Sequence, residues 1–265
     1  CTSRGLGDVY KRQKFKFIKY KTNKKIRVIY KNPKSDIFVI FLHGLKSDLT
    51  GKKPSYLMKQ CKKRKVGFMA LEYSGHGKSY GKFETGTITS WSNDVKFIIK
   101  QKLINKKIII IGSSLGAWLG LIQLKYFKNI VGFIGIGAAP EFLDRLIWKK
   151  LSIKNKNLVL KNKYYNLENN DYSYKITLKI IKDGRKNKVL NKKNNSKFPI
   201  YLLHGEKDKV VPQSLSRKIL KVFPNSKKKF IKIKNGDHSL SRVKDLKILS
   251  NYMNKIIDYC AKPSL

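Results

Sequence analysis

Residues Ile108 to Leu121, IIIIGSSLGAWLGL, decide how the rest of the chain is read. From Ile108 to Leu124 there is no charge, and the length approaches the ~20 apolar residues that a membrane-spanning helix requires. Two features favour another reading. The β-branched run stops at Gly112, and the apolar residues after Leu115 follow a helical period, so strand, turn and helix fit better than one unbroken helix. The turn itself, GSSLG (Gly112 to Gly116), has the form G-x-S-x-G, whose glycines permit a strained bend that lifts the central serine out of the backbone. Alone such a match is only suggestive. Between a four-isoleucine strand and an apolar helix it marks Ser114 as a candidate nucleophile.

Working outward, strand-length apolar runs alternate with segments of helical period. Lys14 to Tyr20 and Lys25 to Tyr30 read as an antiparallel hairpin. Asp36 to Gly44, DIFVIFLHG, is continuous enough to be buried on both faces, and a helix follows over Pro54 to Lys63. Gly67 to Tyr73 is the next strand, and Ser90 to Leu103 is a helix with Ser90 as its expected cap. KIIIIG, Leu115 to Phe127, IVGFIGIGAA, PIYLLHG, Gln213 to Val222, KKFIKIK and Val243 to Tyr259 continue the alternation. That rhythm predicts an α/β fold: a mostly parallel central sheet with helices on both faces. It breaks from about Glu141 to Lys197, where lysine, asparagine and tyrosine replace buried strands; short helices and loops are expected there, inserted as a cap into a single domain spanning 14–265. Tyr164, Tyr165, Tyr172 and Tyr174 are the cap groups expected to cover a pocket.

The first thirteen residues, CTSRGLGDVYKRQ, resemble a translated sequencing adaptor, so 1–13 are expected to be a scar outside the fold, and the native amino terminus to lie beyond this sequence. Cys61 and Cys260 then remain, too few and too far apart for a disulfide framework or a metal site. They point to a reducing compartment, and the expected location is cytoplasmic. The formal net charge of +44 is carried overwhelmingly by scattered lysines. Without a basic motif interleaved with aromatics it does not predict a specific nucleic-acid site, though non-specific adhesion to polyanions or membrane surfaces is expected. Nothing in the sequence sets the oligomeric state.

A serine hydroxyl needs a histidine to take its proton and an acid to hold that histidine. His238, in NGDHSL, lies between the last strand and the last helix, at the sheet edge where Ser114 is expected; it is the candidate base. His43 and His204 end strands before glycines and read as structural hydrogen-bonding groups, and His76 reads as a loop residue or substrate neighbour. The candidate acid is Asp208 in HGEKDKVVP, with Glu206 two residues away as its nearest rival and Glu141 and Asp144 as alternatives after an earlier strand. Two backbone N–H groups, those of Leu45 and Leu115, are the candidate oxyanion donors. YSGHGKS has Glu72 where a phosphate-binding loop needs its first glycine, no zinc motif is present, and the expected chemistry needs no cofactor.

HGL, GSSLG, HGEKD and GDH, in that order, resemble the α/β-hydrolase superfamily, and the longer stretches HGLKSDLTGKK, EYSGHGKS, GSSLGAWLGL and LLHGEKDKVVP resemble the mitochondrial abhydrolase-domain palmitoyl-protein thioesterases that also act as acyl-glucuronide esterases, with their bacterial relatives. The resemblance implies Ser114, Asp208 and His238 as a triad hydrolysing esters or thioesters. His43 stands where a proline is expected in that family, and the cap is far richer in lysine and asparagine, so acyl-chain preference does not carry over. The competing expectations are a carbon–carbon hydrolase or lipase on the same triad, or a non-catalytic protein that binds polyanions or membrane surfaces.

Overall fold

The computed structural model describes residues 15–169 and 172–261, without the side chains of residues 21, 168, 169 and 172–174. The expected scar at 1–13 and the side chains of Tyr172 and Tyr174 lie outside what is described. In chain order the strands are β1 (Lys16–Lys21), β2 (Lys24–Lys31), β3 (Ile37–Leu42), β4 (Gly67–Leu71), β5 (Lys107–Ser113), β6 (Ile130–Ile136), β7 (Tyr164–Asn169), β8 (Tyr172–Thr177), β9 (Ile200–Gly205) and β10 (Lys228–Ile233). The helices are α1 (Lys52–Lys63), α2 (Ile88–Lys102), α3 (Leu115–Gln123), α4 (Ile153–Asn162), α5 (Leu178–Lys186), α6 (Gln213–Val222) and α7 (Val243–Ala261).

The main sheet runs β1-β2-β4-β3-β5-β6-β9-β10. Its pairs from β4 to β10 are parallel, whereas β2 is antiparallel to both β1 and β4. The four isoleucines of β5 explain why its apolar run is unbroken. Ile108 and Ile110 point, with Phe38, Ile40 and Leu42 of β3, into a layer closed by Trp91 and Trp118. Ile109 and Ile111 point the other way, with Val39 and Phe41, against Leu57 of α1 and Leu249 and Met253 of α7. A strand covered on both faces has no position for a polar residue. The apolar helix that follows, α3, is buried along its length, and among the described residues no helix is long and apolar enough to cross a membrane.

Two local expectations change. The cap of α2 is Thr87 rather than Ser90: the Thr87 hydroxyl accepts from the Ser90 N–H at 3.0 Å and the Ser90 hydroxyl accepts from the Thr87 N–H at 2.8 Å. Ser90 is thus the reciprocal half of a capping box three residues inside the start. The segment after β6 is also not only helix and loop, because β7 and β8 pair as an antiparallel hairpin. Their signal is alternation rather than a continuous run: Tyr165, Leu167 and Ile176 pack inward while Asn166 and Lys175 face out. This segment is tied to the main body where α5 packs near α2 and the Trp118 indole donates to the Asn187 carbonyl at 2.9 Å.

Candidate active site

Ser114 sits between β5 and α3 with φ 52° and ψ −113°, a strained backbone for a residue bearing a side chain. The bend is held by the sheet: the Ser114 N–H donates to the Ile136 carbonyl at 2.9 Å, and the Ala139 N–H donates to the Ser114 carbonyl at 3.3 Å. Both motif glycines are required by close approach. A Cβ on Gly112 would stand 2.5 Å from the Ala117 backbone nitrogen, and one on Gly116 would stand 2.1 Å from the Leu42 carbonyl oxygen. The sequence therefore permits strand, elbow and helix to pack with almost no clearance, which is what pushes the Ser114 side chain outward.

Asp208 follows β9 in a turn whose backbone ties down one of its oxygens: Oδ1 accepts from the N–H groups of Val210 and Val211, each at 2.9 Å. The other oxygen, Oδ2, lies 2.8 Å from Nδ1 of His238 and 3.2 Å from Nε2 of His204. Both imidazoles face acceptors at these atoms, which assigns the protons to His238 Nδ1 and His204 Nε2. Burial alone would raise the Asp208 carboxyl; the hydrogen bonds from His204 and His238, the charge of His238 and the Val211 N–H outweigh it and hold it well below the usual carboxylate range. Beyond Asp208, the His238 ring abuts the end of β6, with Nδ1 3.1 Å from where a Cβ on Gly137 would stand. Ser114 is bonded to the neighbouring Ile136, so β6 places the base and serine candidates at one point of the sheet edge.

Both residues open into one cavity of about 670 Å³. Phe142, Leu146, Ile147 and Leu167 form its apolar side, contributed by the segment after β6. Lys46, Ser47, Lys52 and Lys53, from the β3–α1 connection and the first turn of α1, form the polar side. Leu45 lines the same space, and a Cβ on its neighbour Gly44 would lie 3.5 Å from that of Ser114. Leu115 is the first residue of α3, where a backbone N–H has no acceptor within its own helix.

The other histidines and acids separate cleanly. His43 is buried, its Nδ1 donating to the Gly44 carbonyl at 2.8 Å, and burial lowers its pKa to about 4 against the smaller opposing pull of that hydrogen bond. His76 does not line the cavity; it packs edge-on against Tyr73, Phe83 and Trp91, and burial followed by the nearby His43 lowers it to about 3. Glu206 accepts from the Asn235 N–H at 3.2 Å, away from His238. Glu141 accepts from Val189 and Leu190 N–H groups at 3.0 and 2.9 Å and from Arg145, while Asp144 accepts from Arg185 at 2.8 Å. His204 makes the structural hydrogen bond expected of it, its Nε2 donating to the Val211 carbonyl at 2.9 Å, and the same nitrogen also lies 3.2 Å from Asp208 Oδ2, which the sequence reading did not foresee. Its spacing of four before Asp208 in HGEKD was the available signal, but the turn that folds Asp208 back onto it is a tertiary fact. Among the described residues no group of three or more His, Cys, Asp or Glu side chains is placed to hold a metal ion.

No family model matches the chain. It is 29% identical over 226 residues to the mitochondrial palmitoyl-protein thioesterase ABHD10 of Bos taurus, a match covering 83% of this chain and 72% of the relative. A putative hydrolase from Agrobacterium vitis S4 superposes with a TM-score of 0.85 at 26% identity, over 93% of this chain and 98% of that one. Mouse α/β hydrolase domain-containing protein 10 superposes with a TM-score of 0.83 at 24% identity, over 94% and 100% respectively. The Bos taurus relative's name also overturns the cytoplasmic expectation, since it says mitochondrial. Two buried free thiols, Cys61 and Cys260, fit any reducing compartment and do not choose between them. The chain has the α/β-hydrolase fold, and along most of its length it resembles the mitochondrial palmitoyl-protein thioesterase ABHD10.

Proposed function

We propose that the chain is a serine hydrolase of carboxylic esters or thioesters that works through an acyl-enzyme. The observation that carries this reading is His238, held by the buried Asp208, opening onto the same cavity as a serine on a strained strand-to-helix bend. With Nδ1 protonated and held by Asp208, His238 keeps Nε2 as the nitrogen that accepts the Ser114 proton. Ser114 Oγ then attacks the acyl carbonyl, and the N–H groups of Leu45 and Leu115 stabilise the oxyanion that forms. His238 returns the proton to the departing alcohol or thiol; water, activated in turn by His238, clears the acyl group. The segment Glu141–Lys197 acts as the cap, and its apolar side chains in the cavity hold the acyl chain. Support for thioesters in particular comes from the Bos taurus relative, whose name is palmitoyl-protein thioesterase.

The test is hydrolysis of a chain-length series of acyl thioesters and matched oxygen esters, with Ser114→Ala alongside. Turnover is expected to fall by about 10⁴-fold or more in the variant with its thermal unfolding unchanged. Retained turnover in a folded Ser114→Ala protein would sink the assignment.

A further inference from the structure

The cavity is divided between two chemistries. Apolar side chains from the segment after β6 make one side, and lysines stand around the rest: Lys52 and Lys53 in the first turn of α1, Lys209 next to the acid. Lysines are common in this chain, so presence alone carries nothing; their setting does. The first turn of α1 holds no acidic residue and Gly51 offers no side-chain cap, so two ammonium groups occupy the positive end of a twelve-residue helix, where the helix dipole disfavours them. Among the described residues no carboxylate forms a salt bridge with Lys52, Lys53 or Lys209. Asp48, the acid lining the same space, has its Oδ1 occupied by the N–H and hydroxyl of Thr50, both at 2.7 Å. Among the described residues, Lys53 donates to two neutral oxygens, the Ser239 carbonyl at 2.5 Å and the Ser241 hydroxyl at 2.9 Å. Burial lowers its pKa to about 8, and Asp237 and Asp245 offset only part of that. Positive potential is therefore focused inside a partly enclosed space beside Ser114 with too little protein charge to answer it.

We propose that this side of the cavity is a subsite for a leaving group carrying a phosphate-like dianion, so that the preferred substrate is an acyl ester or thioester of a phosphorylated alcohol or thiol. The proposal rests on the hydrolase reading above. The acyl chain lies against Phe142, Leu146, Ile147 and Leu167, and the carbonyl sits at Ser114. The phosphorylated arm extends toward Lys52, Lys53 and Lys209. A dianion with three acceptor oxygens meets several ammonium groups at once, which a single carboxylate does less well. Release follows the ordinary course: the C–S or C–O bond breaks, His238 supplies the proton, and the phosphate arm leaves unchanged.

The experiment compares three octanoyl thioesters that differ only in the thiol: 2-mercaptoethanol, 3-mercaptopropionate and 2-mercaptoethyl phosphate. The expected result is a kcat/KM for the phosphorylated thioester about tenfold or more above the neutral one at physiological salt, with the carboxylate between them. That ratio should fall toward one in Lys52→Glu/Lys209→Glu. It should be unchanged in Lys218→Glu/Lys221→Glu, which reverses two exposed charges of α6 outside the cavity. A ratio near one in the unaltered protein, equal preference for the carboxylate, or an equal fall in the α6 variant would each overturn the subsite. Should no thioester turn over, the hydrolase reading fails by itself, and calorimetric titration with butyl phosphate against butanol decides the subsite. Saturable phosphate binding lost in Lys52→Glu/Lys209→Glu upholds it, and no such binding overturns it.

Discussion

Asp208 and Glu141 are two buried acids that follow parallel strands of one sheet, and they have been given opposite tasks. Asp208, after β9, spends one oxygen on its own turn and points the other at His238 and His204. Glu141, after β6, spends both oxygens on the segment that follows it: Oε1 takes the N–H groups of Val189 and Leu190, some fifty residues on, and Oε2 takes Arg145. One carboxylate orients an imidazole; the other fastens a long excursion of chain to the sheet. What separates them is the set of donors they face, since a carboxylate head, burial and a place at a strand end are shared.

Replacing Asp208 by Asn should have the largest effect. The amide removes the charge and presents a donor to a ring nitrogen that must itself donate, so kcat should fall by about 10⁴-fold, measured on any thioester that the unaltered protein turns over. Glu141→Gln should change kcat by less than about tenfold. Equal losses would break the distinction. Acid sharpens it further. Because the folded Asp208 carboxyl lies below its ordinary value of 3.8, its contribution to stability is complete above that pH and is lost as pH falls through the folded value. The difference in unfolding free energy between the unaltered protein and Asp208→Asn should therefore shrink only below about pH 4.

The earlier part of the acid limb belongs to His43, in the cavity wall. His43 is held neutral with its pKa lowered from 6.5 to about 4, so the unfolded chain binds the extra proton first and stability declines as pH falls from 6.5 to about 4. The loss from His43 alone is roughly 3 kcal/mol, measurable as a falling denaturation midpoint. Next in size is Glu141→Gln as a stability change. It leaves Arg145 facing an amide in a buried site and should cost about 1–3 kcal/mol, read by thermal unfolding.

Much of this contrast is legible in the sequence, and the rest is not for identifiable reasons. The strand–elbow–helix at Ser114 is local: β-branched residues, two glycines and an apolar helix specify it within fourteen residues, and the strained φ of Ser114 follows from that packing. Asp208 and His238 are legible by position, because a parallel sheet gathers the ends of β6, β9 and β10 at one edge. Glu141 competed for the acid's role because its partners lie on Val189 and Leu190, which no local pattern connects to it. The β7–β8 hairpin escaped because its inward residues, Tyr165, Leu167 and Ile176, alternate with polar neighbours such as Asn166 and Lys175, a weaker signal than the unbroken runs of the central strands. The location failed for a different reason, since free cysteines report redox state and not address.

The smallest effect belongs to the remaining rival, Asp144. It sits three residues beyond Glu141, on the turn Leu143–Ile147 whose Ile147 lines the cavity, so position in sequence would give it the same claim. Its partner is Arg185 at 2.8 Å, and the two side chains are 19% and 38% exposed. Water competes for both ends of such a pair, and Arg185 is also packed over the Trp148 ring at 5.0 Å, a contact that survives loss of the acid. Asp144→Asn should therefore lower stability by no more than about 0.5 kcal/mol and leave kcat unchanged within twofold, by the same thermal and kinetic measurements. A loss as large as that of Glu141→Gln would mean that the segment after β6 is anchored through α5 as much as through Glu141. The two-carboxylate contrast would then become one of three.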